Sequence, residues 1–67
     1  MVKFVSLRDK FGVGHIVNVT KVLEISYREK SDFITFSYED TADFTFWFDT
    51  SNIAKYYYEN ILNRLME

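Results

Sequence analysis

Apolar and polar residues alternate along the middle of the chain with the period-2 spacing of half-buried β-strands. The alternation covers about residues 21–28, 33–39 and 43–49, and short polar segments typical of turns separate the three stretches. Three such strands at close spacing predict an antiparallel β-meander.

The first part of the chain also has β character. About residues 1–7 and 15–19 are rich in β-branched and aromatic side chains, and the turn between them holds both glycines of the chain, Gly12 and Gly14. These segments predict either two strands or one bent strand. The expected sheet therefore has four or five strands.

The spacing changes after the last predicted strand. From about residue 51 to 66, apolar side chains recur every 3.6 residues, which predicts an amphipathic helix. The hydroxyl of Thr50 or Ser51 can cap its first turn. The sheet and the helix each have one apolar face, so they are expected to cover each other.

The predicted fold is therefore α+β. It is a small antiparallel β-meander of four or five strands, covered on one face by a single C-terminal amphipathic helix, in one domain over residues 1–67. The residues expected in the core are Leu23, Ile25, Tyr27, Ile34, Phe36, Tyr38, Phe44, Phe46 and Phe48 from the sheet, with Ala54, Tyr58, Ile61 and Leu65 from the helix.

Composition and charge restrict the classes of function. The chain has 67 residues, no cysteine and a formal net charge of -2, with ten acidic and eight basic residues. A disulfide framework is therefore excluded, and the charge argues against direct nucleic-acid binding, which depends on basic side chains. No run approaches the roughly 20 apolar residues of a membrane span. We expect a cytoplasmic protein without a membrane span.

The residues that could carry catalysis are sparse. His15 is the only histidine, and neither a second histidine nor an acidic residue follows it at metal-ligand spacing. Gly12 and Gly14 lack the third glycine of a dinucleotide-binding turn. We therefore expect no catalytic residue, no metal ligand and no cofactor, and a protein that is not an enzyme.

Strand alternation leaves several side chains on the face that the helix does not cover. If the core faces inward, Trp47 and Phe33 point outward together with Thr35, Thr45 and Val22. An exposed Trp–Phe pair with a charged surround has the composition of a protein-interface centre. The alternative is that the first strands curl over the sheet and bury the indole.

Two other features are candidate contact surfaces. Tyr56 lies on the polar side of the predicted helix and is the weaker aromatic candidate. Five carboxylates between residues 32 and 49 are candidates for an acidic surface that attracts a basic partner. They are Asp32, Glu39, Asp40, Asp43 and Asp49.

The whole-chain pattern resembles a known family. The opening M-V-K-F-V-S-L, the later I-V-N-V-T-K-V-L-E-I, the hairpin F-I-T-F-S-Y-E-D-T-A-D-F-T-F-W-F and the helix after D-T-S resemble the small flagellar FlbD/SwrD-like proteins. This resemblance implies a strand meander with a terminal helix and an accessory role that is not enzymatic. The segment 40–43 departs from the Asn-Gly hairpin of that pattern, and no functional residue is transferred.

Together these observations predict a small non-catalytic protein-interaction or regulatory accessory module. Its partner is expected to be another protein, bound through the outer sheet face or a strand edge, or a second copy in a homodimer. The alternative is an acidic inhibitor from a phage or mobile element that mimics nucleic acid and blocks a host nucleic-acid enzyme.

Overall fold

The structure is a computed structural model that describes residues 2–39 and 41–67. Over these residues it contains five strands and one helix, which confirms the predicted α+β fold and its five-strand alternative. The elements are β1 (Phe4–Arg8), β2 (Gly14–Asn18), β3 (Glu24–Ser26), β4 (Phe33–Ser37), β5 (Phe44–Trp47) and α1 (Ser51–Leu65). Within these ranges no helix combines the length and apolar character needed to cross a membrane.

The strands form two sheets. The hairpin β1–β2 is a separate antiparallel pair, and β3, β4 and β5 form the predicted meander in the order β3-β4-β5. The connection between β2 and β3 carries the chain from one sheet to the other. The first two segments are thus two strands, and their hairpin is a separate layer instead of an extension of the meander.

Both the helix and the β1–β2 hairpin pack on the inner face of the meander. Ile34 and Phe36 of β4 are fully buried there, as the alternation predicts. Because α1 contacts both β1 and β4, the three elements enclose one core. Its buried members are Leu7, Val17, Val19, Ile34, Phe36, Phe48, Ala54 and Ile61.

Three of the predicted core residues are wrong, because Leu23, Phe44 and Leu65 are exposed. Phe44, 53% exposed, starts the edge strand β5, and the ring of Tyr38 meets its ring edge-on at 6.1 Å. Leu65 is the last residue of the helix, four residues after Ile61, the last helix side chain that is buried. Alternation identifies the face of a side chain but not how far the opposite layer extends over it.

Leu23 differs for a local reason. Its amide donates to the Ser37 carbonyl at 2.8 Å, although Ser37 is the register partner of Glu24. Two consecutive residues thus face one residue of β4, which is a β-bulge and interrupts the alternation. Leu23 is 67% exposed, and Val22, predicted on the outer face, packs against the core instead.

The helix starts where the sequence predicts. Thr50 is the N-cap, and its Oγ1 accepts a hydrogen bond from the Ile53 amide at 3.2 Å.

Two stacked aromatic pairs hold the helix on the sheet. Tyr58 stacks on Tyr27 with ring centroids 4.5 Å apart, and Tyr57 stacks on Phe48 at 5.1 Å.

Candidate functional site

The face of the meander away from the helix carries four of the predicted contact residues. Their register pairs them across β4 and β5, with Phe33 opposite Trp47 and Thr35 opposite Thr45. Because residues directly opposite in an antiparallel pair share a face, the four side chains form one surface. We call this surface, formed by Phe33, Thr35, Thr45 and Trp47, the outer sheet face.

An aromatic pair forms one end of the outer sheet face. The rings of Phe33 and Trp47 lie 4.7 Å apart, tilted by 44°, which is a favourable aromatic geometry. Trp47 is 44% exposed and Phe33 is half-buried beside it. The first strands therefore do not curl over the indole, because the β1–β2 hairpin packs on the opposite face.

Two threonines form the middle of the outer sheet face. The hydroxyls of Thr35 and Thr45 are 3.0 Å apart and share a hydrogen bond. A hydroxyl has one donor and two acceptor positions, so the pair keeps capacity for an incoming polar group. On the neighbouring strand, Ser26 Oγ donates to Glu24 Oε2 at 3.0 Å and continues the polar surface to β3.

The turn between β1 and β2 borders the aromatic end. The Lys10 amide donates to the Trp47 carbonyl at 2.7 Å, which places this turn against the edge of β5. Phe11, next in the chain, is 74% exposed and has the Lys10 ammonium 5.7 Å from its ring centroid. Sequence reasoning missed Phe11, since a long-range bond of its neighbour Lys10 brings this turn to the edge of β5.

The side chain of Asp9 holds that turn in shape. Its Oδ1 accepts hydrogen bonds from the amides of Phe11 at 2.9 Å and Val13 at 3.0 Å, and its Oδ2 is 2.8 Å from His15 Nε2. Gly12 adopts a φ of +79° inside the turn, a value that favours glycine. The sequence signal for this turn is Asp9 itself, because an aspartate carboxylate commonly accepts a hydrogen bond from the backbone amide two residues later.

These contacts change the acidity of Asp9. The hydrogen bond from His15 and those from the two amides hold the pKa of Asp9 below its usual 3.8, and partial desolvation opposes them. His15, whose ring also lies 4.6 Å from that of Phe46, therefore has a structural role in the turn.

We expect the stability of the chain to fall in acid partly through Asp9. A carboxyl whose pKa is lower in the folded chain stabilises the fold above its unfolded pKa, and this stabilisation is lost as the pH falls through the folded value. The Asp9→Asn variant should lose that component, so its melting temperature should change less than that of the wild type below pH 3.8. Thermal unfolding by circular dichroism between about pH 5 and pH 2 measures the difference. If the melting temperatures of the wild type and the Asp9→Asn variant fall in parallel as the pH is lowered, this role for Asp9 is contradicted.

Tyr56 does not join the outer sheet face. It lies on α1, which packs on the inner face of the meander, and its exposed ring contacts that of Tyr57 at 5.4 Å. Tyr56 is therefore a separate aromatic position on the opposite side of the molecule.

The predicted acidic residues fall into two groups. Asp32 pairs through its carbonyl with the Phe48 amide, near Asp49, whereas Glu39 and Asp43 flank the turn at the other end of β4. Seven residues of extended chain, roughly 23 Å, separate Asp32 from Glu39. Asp40 lies outside the described residues. The four described carboxylates thus form no single patch, and within the described ranges no three His, Cys, Asp or Glu side chains cluster in a way that could hold a metal.

Comparisons with protein-family models, with curated proteins and with solved structures find no match for this chain. The likeness to FlbD/SwrD-like proteins therefore remains a resemblance of strand pattern and adds no residue role to the site.

Proposed function

We propose that this chain is a non-catalytic protein-interaction module that binds a partner protein through the outer sheet face. The observation that carries the proposal is the exposed indole of Trp47, whose ring lies 4.7 Å from that of Phe33 on an antiparallel sheet. Tryptophan is enriched among the residues that dominate binding energy at protein interfaces.

The arrangement is suited to binding because its aromatic pair is already ordered. Each side chain that a complex must immobilise costs about 0.5–1.5 kcal/mol, and the contact with Phe33 removes part of that cost for Trp47. The hydroxyls of Thr35 and Thr45 beside the rings supply hydrogen bonds that orient a partner. Apolar rings next to a small polar surface match the centre and rim of protein interfaces.

The test begins with capture of host proteins on the immobilised chain and reconstitution of the complex from purified components. We expect Trp47→Ala to weaken the complex about five- to thirtyfold, the effect of losing a contact worth ~1–2 kcal/mol. Thr45→Arg places a bulky charge on an exposed neighbour and should weaken it as well. Calorimetry measures the affinities, and circular dichroism checks that each variant is folded.

Tyr56→Ala is the matched control, because it removes an exposed aromatic ring from the opposite side of the molecule. Its affinity should equal that of the wild type. Folded Trp47→Ala and Thr45→Arg variants that bind as tightly as the wild type would reject the outer sheet face as the binding surface. A complex whose affinity is unchanged by both substitutions but falls steeply as the salt concentration rises would instead favour the acidic-inhibitor alternative.

A further inference from the structure

The strand β3 has an open edge. In the described part of the chain, no hydrogen bond from another element reaches the side of β3 that faces away from β4. The other outward edges each have at least one: the Lys10 amide to Trp47 O at 2.7 Å on β5, Arg64 Nε to Phe4 O at 3.2 Å on β1, and the Tyr38 hydroxyl to Asn18 O at 3.3 Å on β2. An uncovered edge presents backbone groups ready to pair with another strand.

The hydrogen-bond pattern of the meander identifies those groups. The Phe48 amide donates to the Asp32 carbonyl, so the even-numbered residues of β4 bond to β5 and the odd-numbered residues bond to β3. The odd-numbered residues of β4 pair with even-numbered residues of β3. The N–H and C=O groups of Ile25 therefore point away from β4 towards the open edge, and the same alternation, continued one residue past the end of β3, puts those of Tyr27 on this side.

The sequence along this edge is complementary to itself. If a second copy pairs antiparallel about a two-fold axis at Ser26, Glu24 of each copy lies opposite Arg28 of the other, and Ser26 faces Ser26. In the same register, Ile25 and Tyr27 of the two copies exchange main-chain hydrogen bonds. Both charged side chains are exposed, and opposite charges in facing positions stabilise a strand pair.

The helix side of the edge has apolar surface that such pairing covers. An open groove of about 210 Å³ runs between β3 and the end of α1, and the exposed side chains of Leu23, Leu62 and Leu65 line it. A two-fold axis perpendicular to the sheet keeps both helices on the same face. In the register given above, Leu23 of one copy lies opposite Glu29 of the other, so each groove borders the end of the other copy's β3. A specific interface needs about 500 Å² from each copy, roughly a tenth of this chain's 4913 Å².

We infer that two copies of this chain pair through β3 into a continuous six-stranded antiparallel sheet. The symmetric contact consists of Glu24–Arg28 ion pairs on the outer face and, on the helix face, one leucine groove at each end of the paired strands. The inference is independent of the proposed function, because the outer sheet face of each copy stays uncovered. The dimer presents both of these faces on the same side.

Charge reversal tests the pairing on the purified full chain. We expect Glu24→Lys or Arg28→Glu alone to weaken self-association at least about fivefold, since each change replaces two attractive contacts with two repulsive ones. The double variant E24K/R28E should dimerise as the wild type does, and a mixture of the two single variants should form heterodimers. Sedimentation equilibrium over a concentration series measures each association constant.

Matched controls separate the strand contact from net charge. Lys55→Glu and Glu59→Lys change the net charge by the same amounts on the exposed side of α1 and should leave self-association unchanged. Hydrogen exchange provides a second readout, because the amides of Ile25 and Tyr27 should be protected at high concentration and exchange rapidly on dilution.

A monomeric mass throughout the concentration series would overturn the inference. A dimer that both single charge variants leave intact would overturn it as well, and loss of that dimer in Trp47→Ala would assign self-association to the outer sheet face instead. Partner binding is measured separately with the Trp47 variants, so a failure of one proposal is distinguishable from a failure of the other.

Discussion

Phe36→Ala is expected to remove most of the free energy of unfolding of the chain. Phe36 is fully buried between the sheet, the helix and the hairpin, with the ring of Phe46 at 5.5 Å. Truncating a buried phenylalanine removes about 3–5 kcal/mol. Small domains have a free energy of unfolding near the lower end of ~5–15 kcal/mol, so this loss removes most of it. Urea unfolding followed by far-ultraviolet circular dichroism measures the change.

Phe44→Ala is the matched control, because Phe44 lies directly opposite Phe36 in the strand register. The two positions have the same residue type and the same inward parity, but Phe44 is 53% exposed. Its truncation should cost less than about 1 kcal/mol, since little buried surface is lost. Equal losses from the two variants would mean that the layer over the sheet extends further than the structure shows.

This pair also shows what the sequence could predict about the fold. Alternation identified β4, β5 and the inward face of both strands, because a half-buried strand must alternate. It could not distinguish Phe36 from Phe44, since burial at a given inward position depends on where the helix and the hairpin lie. The helix was predicted within one residue of its ends, because Thr50 supplies a local start signal and the apolar stripe ends with Leu65.

The candidate site was predictable to the extent that it depends on strand parity. The alternation of side chains along β4 and β5 put Phe33 and Trp47 on the outer face, and the polar turn between the two strands made them neighbours. Phe11 was not predictable as a candidate, because its turn reaches the edge of β5 through the bond between the Lys10 amide and the Trp47 carbonyl, 37 residues apart in sequence. The open edge of β3 likewise depends on which other edges are covered.

Leu7→Ala should destabilise the whole chain by about 2–5 kcal/mol, although no residue of the first hairpin was predicted in the core. Leu7 is 2% exposed and belongs to the same buried cluster as Phe36. The hairpin pairs with no strand of the meander, so side-chain packing and a few hydrogen bonds join the hairpin to the meander. Urea unfolding gives the size of the loss, and Ile16→Ala, at a position 78% exposed on the other side of the hairpin, should cost little.

Hydrogen exchange of the Leu7→Ala variant distinguishes one cooperative core from two. If the β1–β2 hairpin and the meander share a core, the amides of β4 lose protection together with those of β1. Faster exchange confined to β1 and β2 would contradict a shared core and make the hairpin a separately unfolding unit. Cooperative loss of protection also matters for the outer sheet face. The hairpin turn bonds to the edge of β5 at Trp47, so with a shared core this turn opens only when the whole chain unfolds. The indole then keeps its support for as long as the chain is folded.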